Sequence, residues 1–178
     1  IMRLLDAGAM GIICPLVNDA EQARRFVNAC LYPPLGGRSW GPSRASVAYG
    51  GYHATRANEA IAPFAMIETR EGLDALDAIA ATPHLAGLFV GPADLSFALK
   101  ADPVVDFTWP PLLEALRCVV DACHRHDLVP GIYTTGARDA LKMRELGFRF
   151  IVAATDATML ANKVREEVAV LTAADLDM

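Results

Sequence analysis

The chain has 178 residues, 53% of them hydrophobic and 21% charged, with a net charge of −5. That is enough apolar material for a single domain over residues 1–178 and too much for a disordered chain. The acidic balance argues against nucleic acid as a partner, and no apolar run approaches the roughly 18 residues of a membrane span.

The opening residues, Met2 to Ala7, have helical spacing and a stop at Gly8. A chain that opens inside a helix and without an initiating Met predicts natural sequence upstream. Residues 11–17 read as a strand, with Pro15 tolerated near its end. Asn18-Asp19-Ala20-Glu21 resembles a capping box for a helix running to about Tyr32. Pro33 to Arg44 is turn chemistry throughout, carrying Arg38, Trp40 and Arg44. A loop of that length is either functional or a surface excursion, and both readings are open. Residues 49–62 are predicted partly helical.

The next strand, 63–67, ends at Glu68, and Thr69 is placed to cap a helix over Glu71–Ala81. Pro83-His84 breaks that helix, with His84 expected as a solvated loop residue. A strand over 86–90 exits through Gly91-Pro92-Ala93-Asp94, a tight turn of small residues whose N–H groups at Ala93 and Asp94 suit an anion. A helix spans Pro110 to His126, with both prolines in its first turn. Its closing Cys123-His124-Arg125-His126 fits a helix C-terminus better than a zinc site, because successive side chains diverge and basic residues favour that end of the dipole. A strand at 129–133 leads to a helix ending at Leu146 and stopped by Gly147. The basic residues from Arg138 to Arg149 fall on its solvated face. The last strand is 150–154, and Asp156 is placed to cap a helix to about Leu171. The cysteines Cys14, Cys30, Cys118 and Cys123 form no Cys-x-x-Cys pair. With no basic segment leading into a secretory apolar stretch, they read as reduced thiols of a cytoplasmic protein.

Five strands alternating with helical segments predict a parallel sheet with helices outside. No Gly-x-Gly-x-x-Gly follows the first strand, and neither a phosphate-binding P-loop nor a Gly-x-Ser-x-Gly elbow is present. The chemistry-bearing feature is the pair Glu68 and Asp94, 26 positions apart. That is about one strand–helix unit of a (β/α)₈ barrel, given roughly 250 residues for eight units. Acids at the ends of neighbouring parallel strands stand where such folds bind ligands, and carboxylate oxygens suit a hard divalent cation. The competing role at this point is helix capping.

The segments Ile67-Glu68-Thr69-Arg70-Glu71 and Phe89-Val90-Gly91-Pro92-Ala93-Asp94-Leu95-Ser96, with Tyr32-Pro33-Pro34 and Gly36, resemble the HpcH/HpaI family of class II 2-oxo-acid aldolases. Arg38-Ser39-Trp40-Gly41-Pro42, Pro130-Gly131-Ile132 and the Phe150 to Asp156 ending extend the resemblance over nearly the whole chain. The resemblance implies a (β/α)₈ TIM barrel of the phosphoenolpyruvate/pyruvate type, here without its first three strands. It implies a divalent metal, Mg²⁺, Mn²⁺ or Co²⁺, held by Glu68 and Asp94. Pyruvate would bind at Pro92 and Ala93, with the Ala93 N–H on its carboxylate. A 4-hydroxy-2-oxo acid would be cleaved reversibly to pyruvate and an aldehyde through a metal-stabilised enolate. Tyr133 falls where relatives often carry an aliphatic residue lining the substrate, and its bulk or hydroxyl would alter the aldehyde accepted. The family's catalytic histidine and its enolate-stabilising arginine belong to the absent strands, so no catalytic residue is assigned in this chain. A homo-oligomer, typically a hexamer, is also implied. Two other readings stand beside the aldolase: an acyl-CoA lyase of the citramalyl or malyl-CoA kind, and a catalytically incomplete remnant of the barrel.

Overall fold

A computed structural model describes residues 1–50 and 53–174. In chain order these form α1 (Met2–Asp6), β1 (Gly11–Cys14), α2 (Ala20–Cys30), α3 (Ser43–Tyr49), α4 (Ala54–Ala60), β2 (Ala62–Ile67), α5 (Arg70–Asp74) and α6 (Leu76–Ala80). They continue with β3 (Gly87–Val90), α7 (Pro92–Lys100), α8 (Pro110–Arg125), β4 (Val129–Tyr133), α9 (Ala137–Leu146), β5 (Phe150–Val152) and α10 (Asp156–Ala174). The strands pair in parallel, in the order β1-β2-β3-β4-β5. Every connection is a helical crossover, as parallel neighbours require.

The sheet curls, and its side chains report it. Adjacent strands sit roughly 4.8 Å apart, so in a flat sheet residues three strands apart stay well separated. Yet the rings of Phe64 on β2 and Phe150 on β5 have centroids 5.2 Å apart, and Phe89 on β3 meets Phe150 at 5.6 Å. These rings share the concave face, where glycines make room for them. A Cβ on Gly87 would run into the Phe64 ring, and one on Gly131 would lie 2.7 Å from the Phe89 ring. The result is a curled parallel half-barrel. The alternate residues Ala65, Ile67, Leu88, Val90 and Ile132 are buried on the convex face. There they join Phe26 and Cys30 of α2, Ile79 of α6, and Leu116 and Val119 of α8 in one hydrophobic core.

Several predicted boundaries shift, each for a local reason. The first strand stops at Cys14 rather than residue 17, because Pro15 lacks an N–H and Leu16 has φ +55°. The capping box slips by one position: the Asp19 side chain accepts from the Gln22 N–H, and Gln22 Oε1 accepts from the Asn18 N–H. The helix predicted over 71–81 is interrupted at Ala75, whose φ −96° and ψ 11° leave the helical range. The end of the predicted 33–44 loop is already helical, since α3 begins at Ser43. The last strand ends at Val152. The cap of α10 is Thr155, whose Oγ1 accepts from the Thr158 N–H, while Asp156 bonds only the next amide.

The long α10 leaves Met159, Leu160, Val164 and Leu171 exposed. Among the described residues, no helix is long and apolar enough to cross a membrane.

Candidate active site

The site is built at the C-terminal edge of the sheet, where β2, β3 and β4 end. Ile67, Val90 and Ile132 are paired across these strands. One residue further, the same row brings Glu68, Gly91 and Tyr133 side by side. Strand alternation puts all three on the concave side, with Phe64 four residues below Glu68 and Phe89 two below Gly91.

Glu68 is 5% exposed. Its Oε1 accepts the Leu16 N–H at 2.8 Å, a bond made possible by the left-handed backbone of Leu16. Among the described residues no donor reaches Oε2, which is nevertheless not sealed from solvent. Oε2 lies over the backbone of Gly91, so close that a Cβ there would collide with it. Burial pushes the Glu68 carboxyl above the usual carboxylate range, the Leu16 N–H opposes this, and the negative charge of Asp94 adds to the rise. A group in that condition attracts either a proton or a cation.

Asp94 does not stand in a loop as the sequence reading placed it. The helix α7 begins immediately at Pro92, with Gly91 as its N-cap, and Asp94 sits exposed in the first turn. Intrahelical bonding starts with the Leu95 N–H to the Gly91 carbonyl. The N–H groups of Ala93 and Asp94 therefore lie in the part of the helix without internal acceptors, at the positive end of its dipole. Pro92 is buried and Ala93 exposed, so the backbone at this turn is approachable from one side. Tyr133 is half-buried in the next place along the row. The structure thus brings Glu68, Pro92, Ala93, Asp94 and Tyr133 to one edge.

Neither acid is consumed by helix capping. Thr69 caps α5 by accepting the Gly72 N–H at 3.0 Å, and its hydroxyl donates to Asn18 Oδ1 at 2.5 Å. This ties the end of β2 to the loop after β1. Arg38, singled out as a loop arginine, lies elsewhere: it is buried, its Nη2 bonds Asp6 Oδ1 at 2.6 Å, and it covers the Tyr32 ring at 4.3 Å. It braces the 33–42 segment against α1. Leu16 and Gly91 are the site residues that sequence reasoning missed. The small exit residues pointed weakly to Gly91, whereas a positive φ at a leucine leaves no mark in sequence.

Among the described residues, no group of three or more His, Cys, Asp or Glu side chains is arranged to hold a metal ion. Two carboxylates that leave most coordination positions to water and substrate oxygens fit Mg²⁺ or Mn²⁺ and not a closed structural zinc.

A curled parallel α/β sheet with paired carboxylates at its C-terminal edge defines the class of barrel-type enzymes that bind small ligands above their strand ends. Residues 1–163 match HpcH/HpaI aldolase/citrate lyase, and the chain belongs to that family of carbon–carbon lyases. It is 39% identical over 170 residues to the hydroxypyruvate/pyruvate aldolase of Rhizorhabdus wittichii, covering 95% of this chain and 67% of the relative. It is 42% identical over 102 residues to a 2-keto-3-deoxy-L-rhamnonate aldolase of Salmonella paratyphi B, covering 56% of this chain and 38% of the relative. The crystal structure of an HpcH/HpaI aldolase from Desulfitobacterium hafniense superposes with a TM-score of 0.86 at 27% identity, over 96% of this chain and 67% of that one. The chain spans about two thirds of the length of the relatives it matches along nearly its whole extent.

Proposed function

We propose that this chain carries the cation- and pyruvate-binding part of an aldolase that reversibly cleaves a 4-hydroxy-2-oxo acid to pyruvate and an aldehyde. The observation that carries the reading is the state of Glu68. It is a buried carboxylate with one oxygen fixed by a backbone N–H and the other without a donor among the described residues, beside a second acid and a helix N-terminus. The names of the relatives, pyruvate and 2-keto acid aldolases, support the same chemistry.

Glu68 and Asp94 are the residues that hold Mg²⁺ or Mn²⁺ in this proposal. When bound, such an ion supplies Lewis-acid stabilisation of charge on the oxygens of a 2-oxo acid. The remaining work belongs to the chain. The N–H of Ala93 receives the substrate carboxylate at the positive end of α7. Pro92 fixes the backbone direction of that turn, because its ring presets φ for a first helical residue. Phe64 and Phe89 form an apolar floor beneath the site. Tyr133, on the far side of Gly91, presents its ring and hydroxyl to the aldehyde end of the substrate and restricts its size.

The test is exchange of pyruvate methyl protons in D₂O by the complete gene product, followed by NMR with and without Mn²⁺ or Mg²⁺. Cation-dependent exchange, absent in Glu68→Gln, is the expected result. Exchange that ignores the cation or survives that substitution overturns the assignment.

A further inference from the structure

We propose that Leu16 is a positioning residue that divides the two oxygens of Glu68 between separate tasks, Oε1 to the loop and Oε2 to the cation. The inference rests on the cation-binding reading above and adds how the ligand is aimed.

Three observations carry it. First, Leu16 adopts φ +55°, a region that bulky side chains rarely occupy. The residue is 58% exposed, so burial does not explain the conformation. Strain of this kind persists where the surroundings demand it, and it clusters at functional sites. Second, what the conformation achieves is a single directed contact, the 2.8 Å bond from its N–H to Glu68 Oε1 across 52 positions of sequence. The two residues that follow that contact are anchored as well. Val17 donates its N–H to the Met66 carbonyl at 3.3 Å, and Asn18 accepts the Thr69 hydroxyl. The loop is thus fastened to the residues on either side of Glu68. Third, Oε2 is left without a donor among the described residues and lies over Gly91, where an added Cβ would meet both Oε2 and the Met66 sulfur.

One oxygen occupied and one free is the arrangement of a carboxylate that binds a cation through a single oxygen. The partner that fixes such a ligand is an N–H, not a charged group, so the carboxylate keeps its full charge for the cation. The two oxygens of a carboxylate are equivalent, so what the Leu16 N–H sets is the plane and position of the group, which aims whichever oxygen it does not hold. The device is a backbone one: any residue able to take a positive φ and retain its N–H serves, and proline, which does neither, does not.

The experiment measures Mn²⁺ binding by the paramagnetic resonance signal of the free ion, for the wild type, Leu16→Gly and Leu16→Pro. Circular dichroism reports the fold of each variant. Amide hydrogen exchange at Leu16, in the wild type and in Glu68→Ala, reads the bond itself without metal. The expected results are a 10–100-fold weaker affinity in Leu16→Pro, the range seen when an outer partner of a metal ligand is lost. Leu16→Gly keeps an affinity within about threefold of wild type, since glycine retains the N–H and accepts the conformation. The Leu16 amide is protected in the wild type and loses protection in Glu68→Ala. A folded Leu16→Pro with wild-type affinity overturns the proposal, as does a Leu16→Gly as weak as Leu16→Pro, or an unprotected Leu16 amide. Should Leu16→Pro fail to fold, the hydrogen exchange and Leu16→Gly results decide. A folded wild type that binds no Mn²⁺ overturns the cation-binding reading itself, and this inference with it.

Discussion

The ends of β2 and β3 each deliver one acid to the same sheet edge, and they do so by opposite means. The β2 end is a built site. Glu68 is buried, aimed by a backbone N–H from another loop, and flanked by Thr69, which is tied to that loop as well. The β3 end is a helix start. Asp94 rides exposed in the first turn of α7, positioned only by the helix that Pro92 initiates. The difference teaches that the two carboxylates are unequal. Glu68 carries a desolvation penalty, whereas Asp94 adds charge from a solvated position and steadies its own helix.

Substitutions can break this comparison in a graded way. The largest effect is expected from Glu68→Gln: Mn²⁺ affinity falls on the order of 100-fold or more, beyond the range for outer partners of a ligand, with the fold intact by circular dichroism. Next is Gly91→Ala, whose Cβ would collide with Glu68 Oε2. Calorimetric titration with Mn²⁺ is expected to give about a 10–100-fold loss, and unchanged affinity would remove Gly91 from the site. Asp94→Asn sharpens the contrast. Its affinity loss is expected to be smaller than that of Glu68→Gln, with a stability loss of about 0.3–1 kcal/mol from the first turn of α7, read from urea denaturation. Equal losses at the two acids would erase the inequality.

The pH dependence separates the two ends without any metal. Burial raises the Glu68 carboxyl above its ordinary 4.5, so the folded state holds this proton more tightly than the unfolded state. The stability this contributes is fully present below about 4.5 and is lost as pH rises through the raised value. The stability of the metal-free wild type, relative to Glu68→Gln, is therefore expected to decline from acid to neutral pH. Urea midpoints of the two proteins across that range check it, and a constant gap would mean that Glu68 titrates normally. The smallest effect is at Thr69→Ala, which removes the cap of α5 for about 1 kcal/mol and loosens the link to Asn18, with only a minor change in Mn²⁺ affinity.

Much of this edge was legible in sequence. The apolar run Phe64 to Ile67 followed by Glu68, and Leu88 to Val90 followed by the Gly91 exit, marked the strands and acids, because a buried parallel strand needs an uninterrupted apolar run. Thr69 was legible as a cap because threonine followed by helical residues satisfies an exposed N–H locally. What escaped depended on contacts between distant segments. The early end of β1 owes part to Pro15, which the sequence shows, but the left-handed Leu16 goes with a bond to Glu68 that no window around residue 16 contains. The burial of Arg38 follows from Asp6 and Tyr32, outside its own loop. The cap of α10 was misplaced by one residue, since Thr155 and Asp156 are both competent caps and only the backbone geometry chooses between them.

By itself, then, the sequence determined the alternation of strands and helices, the parallel sheet, the family and the two acids. These are properties of periodicity and short motifs, which act over a few neighbouring residues. Only the tertiary structure decided that Phe64, Phe89 and Phe150 converge over Gly87 and Gly131, and that the Leu16 N–H takes one oxygen of Glu68 while no donor among the described residues reaches the other. Those outcomes depend on the curl of the sheet and on a loop folded back across it, and they arise only when segments far apart in the chain are packed together.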